Sequence, residues 1–178
     1  MIYEIISAGF GGQGALAIGK FIVTSGMKEG KHVSWLPSYG PEMRGGTANV
    51  AAVVSDKPVA SPIVTYPNIL IALNQPSLDK FSKNVVKGGF IVANEDLCPN
   101  IPKIDGVKIV SAPLQKLANE IGSEKVMNMI AIGIVIGLTN VIKYETLVED
   151  LSAFLEKKDP ELLKMNLIAI KKGIELAK

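Results

Sequence analysis

The chain has 178 residues, of which 48% are hydrophobic, so it can bury a substantial core as one domain over residues 1–178. Its 19 Lys and Arg residues nearly balance 17 Asp and Glu residues and are scattered, which argues against a nucleic-acid partner and against a membrane-surface protein. The single cysteine, Cys98, excludes an internal disulfide, a four-thiolate zinc site and an iron–sulfur cluster held by this chain alone.

Short apolar segments alternate with longer segments of helical periodicity, which is typical of an α/β sheet with parallel pairing. The predicted strands are 3–7, 32–36, 49–54, 69–73, 89–93 and 108–110. The predicted helices are 12–26, 76–82, 114–121, 125–141, 144–155 and 160–177. We expect Ser123 to cap a helix that opens at Glu124, and Asp159 to cap one with Pro160 at its first position.

These elements predict a three-layer, Rossmann-like α/β fold, with a mainly parallel sheet flanked by helices. Segment 49–54 follows the preceding strand through a loop too short for a helix, so antiparallel pairing there would make the sheet mixed.

The longest apolar segment, 126–142, falls short of the roughly 20 apolar residues of a membrane span. We therefore expect a buried helix in a soluble protein. With no signal peptide recognised and a single cysteine, we expect a cytoplasmic location.

A glycine-rich loop follows the first predicted strand, in which Gly9, Gly11 and Gly14 fit the pattern G-x-G-x-x-G. Such glycines keep a turn tight and let backbone N–H groups and a helix N-terminus approach an anion. A dinucleotide site also needs a carboxylate at the end of the second strand, and that segment contains none. Gly12 and Gln13 complete the loop, and the Gln13 carboxamide can face a partner or a ligand. The loop alone is compatible with a structural turn or subunit contact, a phosphate-type ligand, or a dinucleotide.

A second loop concentrates proline, glycine, an acid and a base between two strands, which is typical of a constrained surface loop that carries function. Its residues are Ser38, Tyr39, Gly40, Pro41, Glu42, Met43, Arg44, Gly45, Gly46, Thr47 and Ala48. The Arg44 guanidinium, next to two glycines, can bind a carboxylate or phosphate through two hydrogen bonds. Alternatively, Glu42 and Arg44 form an ion pair in a solvated turn.

The two loops together, followed by Ser55-Asp56 and Ser61-Pro62, resemble the gamma subunit of 2-oxoacid:ferredoxin oxidoreductases. The resemblance covers essentially the whole chain in length and order. The form Gly-Pro-Glu-Met-Arg-Gly-Gly is more similar to the 2-oxoglutarate and 2-oxoisovalerate enzymes than to the pyruvate enzymes. The resemblance implies a subunit that is inactive alone, in a complex that decarboxylates a 2-oxoacid, passes electrons to ferredoxin and transfers the acyl group to coenzyme A.

The resemblance also implies that this chain alone binds no cofactor, because thiamine diphosphate, Mg and the [4Fe-4S] clusters lie on the alpha, beta and delta subunits. One hypothesis is that Arg44 and the glycine loop face the active site or the coenzyme A channel, where Arg44 would bind the substrate carboxylate or a coenzyme A phosphate. The alternative is that both loops are interface geometry between subunits. A stand-alone nucleotide- or dinucleotide-binding protein is the alternative function. His32, the only histidine, is expected at the surface and not as a base or metal ligand.

Overall fold

The fold is one six-stranded sheet with helices on both faces, and a computed structural model describes it over residues 1–38 and 47–178. The strands are β1 (Ile2–Phe10), β2 (His32–Ser38), β3 (Thr47–Ser55), β4 (Ile69–Ala72), β5 (Phe90–Asn94) and β6 (Lys108–Ala112). The helices are α1 (Ala15–Lys28), α2 (Gln75–Phe81), α3 (Leu114–Ile121), α4 (Met127–Thr139), α5 (Tyr144–Leu155) and α6 (Pro160–Leu176). Two 3₁₀ turns, Ser82–Asn84 and Glu124–Val126, follow α2 and precede α4.

The strand order is β2-β3-β1-β4-β5-β6. The pairs β1–β4, β4–β5 and β5–β6 are parallel, whereas β3 runs antiparallel to both of its neighbours, β1 and β2. The short connection between β2 and β3 allows only an antiparallel return, because a parallel neighbour needs a crossover of a dozen or more residues. The mainly parallel sheet predicted from the sequence is confirmed, and the antiparallel pairing that the sequence left open is present at β3.

The chain leaves the neighbouring strands β1 and β4 in opposite directions. After β1 it crosses through α1 toward β2, and after β4 it crosses through α2 toward β5 on the other side. The two helices lie on opposite faces of the sheet. The carboxyl ends of β1 and β4 therefore flank a topological switch point, which is where open α/β sheets bind ligands.

The two faces of the sheet are covered by different numbers of helices. One face, which includes Ile5 and Ile71, packs against residues of α1, α3, α4, α5 and α6. The other face, which includes Ile6 and Leu70, packs against Leu78 of α2 and against loop residues. Every residue of β4 is buried, as expected for a central parallel strand covered on both sides.

Helix α4 is the buried helix that the apolar segment predicted, since 9 of its 13 residues are buried. Gly133 lies directly against the Ile170 carbonyl oxygen and Gly173 of α6, so the two backbones touch. Across the described residues, no helix combines the length and the apolar character that crossing a bilayer requires.

The predicted starts of α1 and α4 need correction, and α4 also ends at Thr139 instead of residue 141. Helix α1 begins at Ala15 and not at residue 12, because Gly12 and Gly14 adopt left-handed φ angles of 92° and 84°. A 3₁₀ turn capped by Ser123 precedes α4, which itself begins at Met127. The cap of α6 is as predicted, because the Asp159 side chain accepts a hydrogen bond from the Leu162 N–H at 2.9 Å.

We predict that Gly133→Ala destabilises the chain by roughly 3 kcal/mol, because the new methyl group would overlap the rigid backbone of α6. Gly137→Ala is the matched control on the same helix face. Its methyl group would meet the Ala177 Cβ at 2.6 Å and the Ile174 carbonyl oxygen at 3.1 Å, so its overlap with the α6 backbone is smaller than at Gly133, where the nearest backbone atom lies at 2.2 Å. We expect that change to cost about 1 kcal/mol. Urea unfolding followed by circular dichroism measures both, and equal stability of the two variants would contradict the packing described.

Candidate functional site

The glycine loop, Gly11 to Gly14, lies at the carboxyl end of β1, at the switch point. The Gln13 N–H donates to the Phe10 carbonyl oxygen at 3.2 Å, which closes a tight turn directly after the strand. Gly12 and Gly14, on either side of Gln13, both have positive φ angles, a conformation that glycine adopts without strain. The loop then passes directly into the first turn of α1.

A cleft of about 560 Å³ opens above this loop. One wall is the loop itself, and the other comes from Glu124, Lys125, Met127 and Asn128, at the start of α4. The Asn128 side chain packs over Gly14, where an added Cβ would lie 3.3 Å from it. The cleft is therefore built from two segments more than 100 residues apart in the sequence.

The electrostatics of the cleft favour an anion. Gly14 caps α1 without any side-chain hydrogen bond, and the first turn of α1 contains no acidic residue. The start of α4 lies on the opposite wall, so the positive ends of two helix dipoles meet here. Lys125 adds a formal positive charge and Glu124 a negative one, so the attraction for an anion comes mainly from the helix N-termini and the loop N–H groups. The Glu124 carboxylate accepts a hydrogen bond from the Gln115 carboxamide at 2.6 Å. An uncapped helix N-terminus beside a glycine loop and a lysine is the geometry of a phosphate or carboxylate site.

The Gln13 side chain is turned inward. Its Oε1 accepts from the Phe10 N–H at 2.6 Å, and its Nε2 donates to the Leu73 carbonyl oxygen at 3.3 Å. Gly9 makes this possible, because a Cβ there would lie 2.8 Å from Gln13 Oε1. The sequence left open that this carboxamide faces a ligand, but both of its ends bond within the chain.

Two buried asparagines that the sequence analysis did not single out complete the polar edge of the sheet. Asn74 follows β4 and caps α2 through Ser77, and Asn94 ends β5 and donates to the Leu73 carbonyl oxygen at 3.2 Å. Both are essentially inaccessible to solvent. A polar residue directly after an apolar strand was the signal that could have identified them, whereas nothing local connects Lys125 or Asn128 with the loop.

The second loop begins and ends at the same sheet edge. Tyr39, Gly40, Pro41, Glu42, Arg44, Gly45 and Gly46 lie outside the described residues. The residue after them, Thr47, pairs with Phe10, the last residue of β1. The residue before them, Ser38, pairs with Asn49, which in turn pairs with Ala8 of β1. The chain therefore enters and leaves the second loop beside the glycine loop.

The topology weakens the dinucleotide interpretation. In a dinucleotide site the second strand lies beside the first and presents its carboxylate to the ribose. Here β3 separates β2 from β1, so β2 is two strand spacings, roughly 10 Å, from the glycine loop strand. The end of β2 also carries Ser38 instead of an acidic residue.

The remaining chemically active side chains lie away from the cleft. His32 is exposed at the start of β2, at the edge of the sheet. Cys98 is buried on the face covered by α2, where burial raises the pKa of its thiol to about 11. Within residues 1–38 and 47–178, no group of three or more His, Cys, Asp or Glu side chains is placed to hold a metal ion.

Fold and site together define an α/β protein with a glycine loop and a cleft at a topological switch point. The family model for pyruvate ferredoxin/flavodoxin oxidoreductase matches residues 4–176. The chain belongs to this family. The resemblance inferred from the two loops is thereby confirmed at the level of the family.

The relatives are subunits of such enzymes. The chain is 34% identical to the 2-oxoglutarate synthase subunit KorC of Methanocaldococcus jannaschii, covering 98% of this chain and 94% of that protein. It is also 34% identical to the ketoisovalerate oxidoreductase subunit VorA of Methanothermobacter marburgensis, covering 96% of this chain but only 36% of that longer protein. The chain thus spans about a third of VorA and nearly all of KorC.

Solved structures agree with these matches. The gamma subunit of keto/oxoacid ferredoxin oxidoreductase from Geobacter sulfurreducens superposes with a TM-score of 0.83 at 28% identity, over 98% of both chains. A chain of 2-oxoglutarate:ferredoxin oxidoreductase from Magnetococcus marinus, with 2-oxoglutarate, coenzyme A and succinyl-CoA bound, gives a TM-score of 0.89 at 29% identity. That match covers 99% of this chain and 31% of that one.

We predict that Cys98 reacts very slowly with thiol reagents in the folded chain. Because its pKa is raised to about 11, the reactive thiolate is scarce at pH 8 and increases only as the pH approaches 11. Absorbance assay of thiol modification at pH 8 should show slow labelling that becomes fast on adding urea. Fast labelling of the folded chain at pH 8 would show that the thiol is accessible and ionised.

Proposed function

We propose that this chain is the gamma subunit of a 2-oxoacid:ferredoxin oxidoreductase complex, in which residues 1–178 form one domain. The complex would oxidise and decarboxylate a 2-oxoacid, 2-oxoglutarate or 2-oxoisovalerate, to the acyl-CoA and pass the electrons to ferredoxin. Support for these substrates comes from the names of the relatives KorC and VorA and from the Gly-Pro-Glu-Met-Arg-Gly-Gly form of the second loop.

The redox cofactors are proposed to lie on partner subunits. In this proposal thiamine diphosphate with Mg, and the [4Fe-4S] clusters, belong to the alpha, beta and delta subunits. A cluster needs several thiolates, and this chain has the single, buried Cys98 with a raised thiol pKa. The residues of this chain thus do not fit a cluster.

The cleft is proposed to bind a phosphate group of coenzyme A. The observation that carries this proposal is the uncapped N-terminus of α1, which faces a cleft that also contains Lys125 and the start of α4. Backbone N–H groups of a glycine loop and a helix N-terminus are suited to phosphate oxygens. The Magnetococcus marinus enzyme, one chain of which contains this fold, has coenzyme A bound, which supports the same ligand here.

Arg44 is proposed as a second anion-binding group of the same site. Its loop lies outside the described residues, and the support is that both ends of that loop pair with strands at the glycine loop edge. A guanidinium there could bind either a coenzyme A phosphate or the 2-oxoacid carboxylate. The competing interpretation, in which both loops only contact other subunits, requires neither ligand.

We predict that Lys125→Glu raises the Kd of the complex for coenzyme A about tenfold, equivalent to roughly 1.4 kcal/mol. The charge reversal replaces an attraction for phosphate by a repulsion at the cleft wall. Lys103→Glu is the matched control, because Lys103 is also exposed but lies in a different groove, beside Ile101 and Ile104. Isothermal titration of coenzyme A into each purified complex measures the effect. If the Kd of Lys125→Glu for coenzyme A is unchanged, the cleft does not form part of the coenzyme A site.

We predict that Arg44→Ala raises the KM for coenzyme A or for the 2-oxoacid at least about tenfold, because it deletes a charge-assisted double hydrogen bond. Methyl-viologen reduction by the assembled complex, with each substrate varied in turn, shows which of the two KM values changes. If both KM values stay at the wild-type level while the complex assembles, the Arg44 loop only contacts other subunits.

A further inference from the structure

We propose that Gln13 and Asn94 are positioning residues that fix the glycine loop for its anionic ligand by sharing the Leu73 carbonyl oxygen. The inference rests on the proposed function, since the ligand used to test it is coenzyme A. It goes beyond that function because Asn94 lines no part of the cleft and acts only through the other residues.

The glycine loop has few side chains that could stabilise its conformation. Three of its four residues, Gly11, Gly12 and Gly14, have no side chain. Glycine also loses more conformational freedom on ordering than any other residue. The side chain of Gln13 is therefore the one group within the loop that can fix its conformation.

Gln13 makes contacts with three groups outside the loop. Its Oε1 accepts from the Phe10 N–H at 2.6 Å and from Asn74 Nδ2 at 3.4 Å, and its Nε2 donates to the Leu73 carbonyl oxygen at 3.3 Å. Phe10 ends β1, whereas Leu73 and Asn74 directly follow β4. The side chain thus joins the two strands that flank the switch point.

Asn94 holds the other side of the same carbonyl group. Its Nδ2 donates to the Leu73 oxygen at 3.2 Å, and its Oδ1 accepts from the Leu114 N–H of α3 at 3.1 Å. The Leu73 N–H donates to the Ala8 carbonyl oxygen of β1 at 2.9 Å. Asn94 is fully buried, and its side chain connects to the cleft in two ways: through Leu73 and Gln13, and through α3, whose Gln115 bonds Glu124 of the cleft wall.

A loop held in this way is preorganised, and part of the entropic cost of ordering it is met before a ligand binds. Asn94→Asp removes the donor to Leu73 but keeps an acceptor for the Leu114 N–H, and it places a carboxylate oxygen against the Leu73 carbonyl oxygen. The expected result is a loosened loop with the α3 contact retained. Gln13→Ala removes all three contacts of the loop side chain.

The experiment compares wild type, Gln13→Ala, Asn94→Asp and a matched control, Gln75→Ala, each in the purified complex. Gln75 also makes three side-chain hydrogen bonds, to Asp79 Oδ1 at 2.7 Å and to the Asn100 carbonyl and N–H at 3.0 and 2.9 Å. None of these bonds reaches the glycine loop. Thermal unfolding verifies folding, isothermal titration gives the Kd for coenzyme A, and methyl-viologen reduction gives the KM of the 2-oxoacid.

We expect Gln13→Ala and Asn94→Asp to raise the Kd for coenzyme A at least about tenfold. Gln75→Ala should change it less than about twofold, and the KM of the 2-oxoacid should stay within about twofold in all three variants. A general loss of stability would also raise the Kd of Gln75→Ala for coenzyme A. A difference in Kd between Gln75→Ala and the two test variants therefore separates a positioning role from structural support.

Three results would overturn the inference. If wild type does not bind coenzyme A, the proposed function fails first and the inference with it. If wild type binds but Gln13→Ala and Asn94→Asp bind equally well, the positioning role is wrong and the proposed function stands. If Gln75→Ala loses as much affinity as the two test variants, the effect is general destabilisation. Should Asn94→Asp fail to assemble, Gln13→Ala against Gln75→Ala decides.

Discussion

The carbonyl oxygen of Leu73 is the point on which the carboxyl edge of the sheet depends. It accepts hydrogen bonds from Gln13 after β1 and from Asn94 at the end of β5, while its own peptide continues the pairing of β4 with β1. Buried carboxamides are costly unless both ends are bonded, so this cluster stabilises one arrangement of three strand ends. Gln13 connects this cluster to the glycine loop, which leads directly into α1.

Much of the architecture could be predicted because its signals are local. Alternating apolar segments identified the six strands, and the short loop before β3 pointed to the possibility of antiparallel pairing, which the structure shows. The start of α1 was placed three residues early, since a helical pattern in sequence does not reveal that Gly12 and Gly14 are left-handed. Lys125 and Asn128 could not be assigned to the site, because only the tertiary fold brings α4 against the loop.

This domain occurs in two arrangements, which fits a sheet edge whose stabilising contacts lie inside the domain. The same fold occurs as a separate gamma subunit and as about a third of a longer chain. A site useful in both arrangements must keep its geometry without depending on how the neighbouring domain is attached. The carboxamide cluster lies wholly inside this domain, and the backbones of α4 and α6 meet at Gly133, so the cleft walls rest on internal contacts.

The most direct test of the central claim is anaerobic affinity purification of the tagged chain from its native host. The partners would be identified, and methyl-viologen reduction would be assayed with several 2-oxoacids, with and without coenzyme A. Our account predicts a brown complex with thiamine-binding and iron–sulfur subunits, active only with coenzyme A and with 2-oxoglutarate or 2-oxoisovalerate. Recovery of a colourless, inactive single chain that binds a dinucleotide would contradict it.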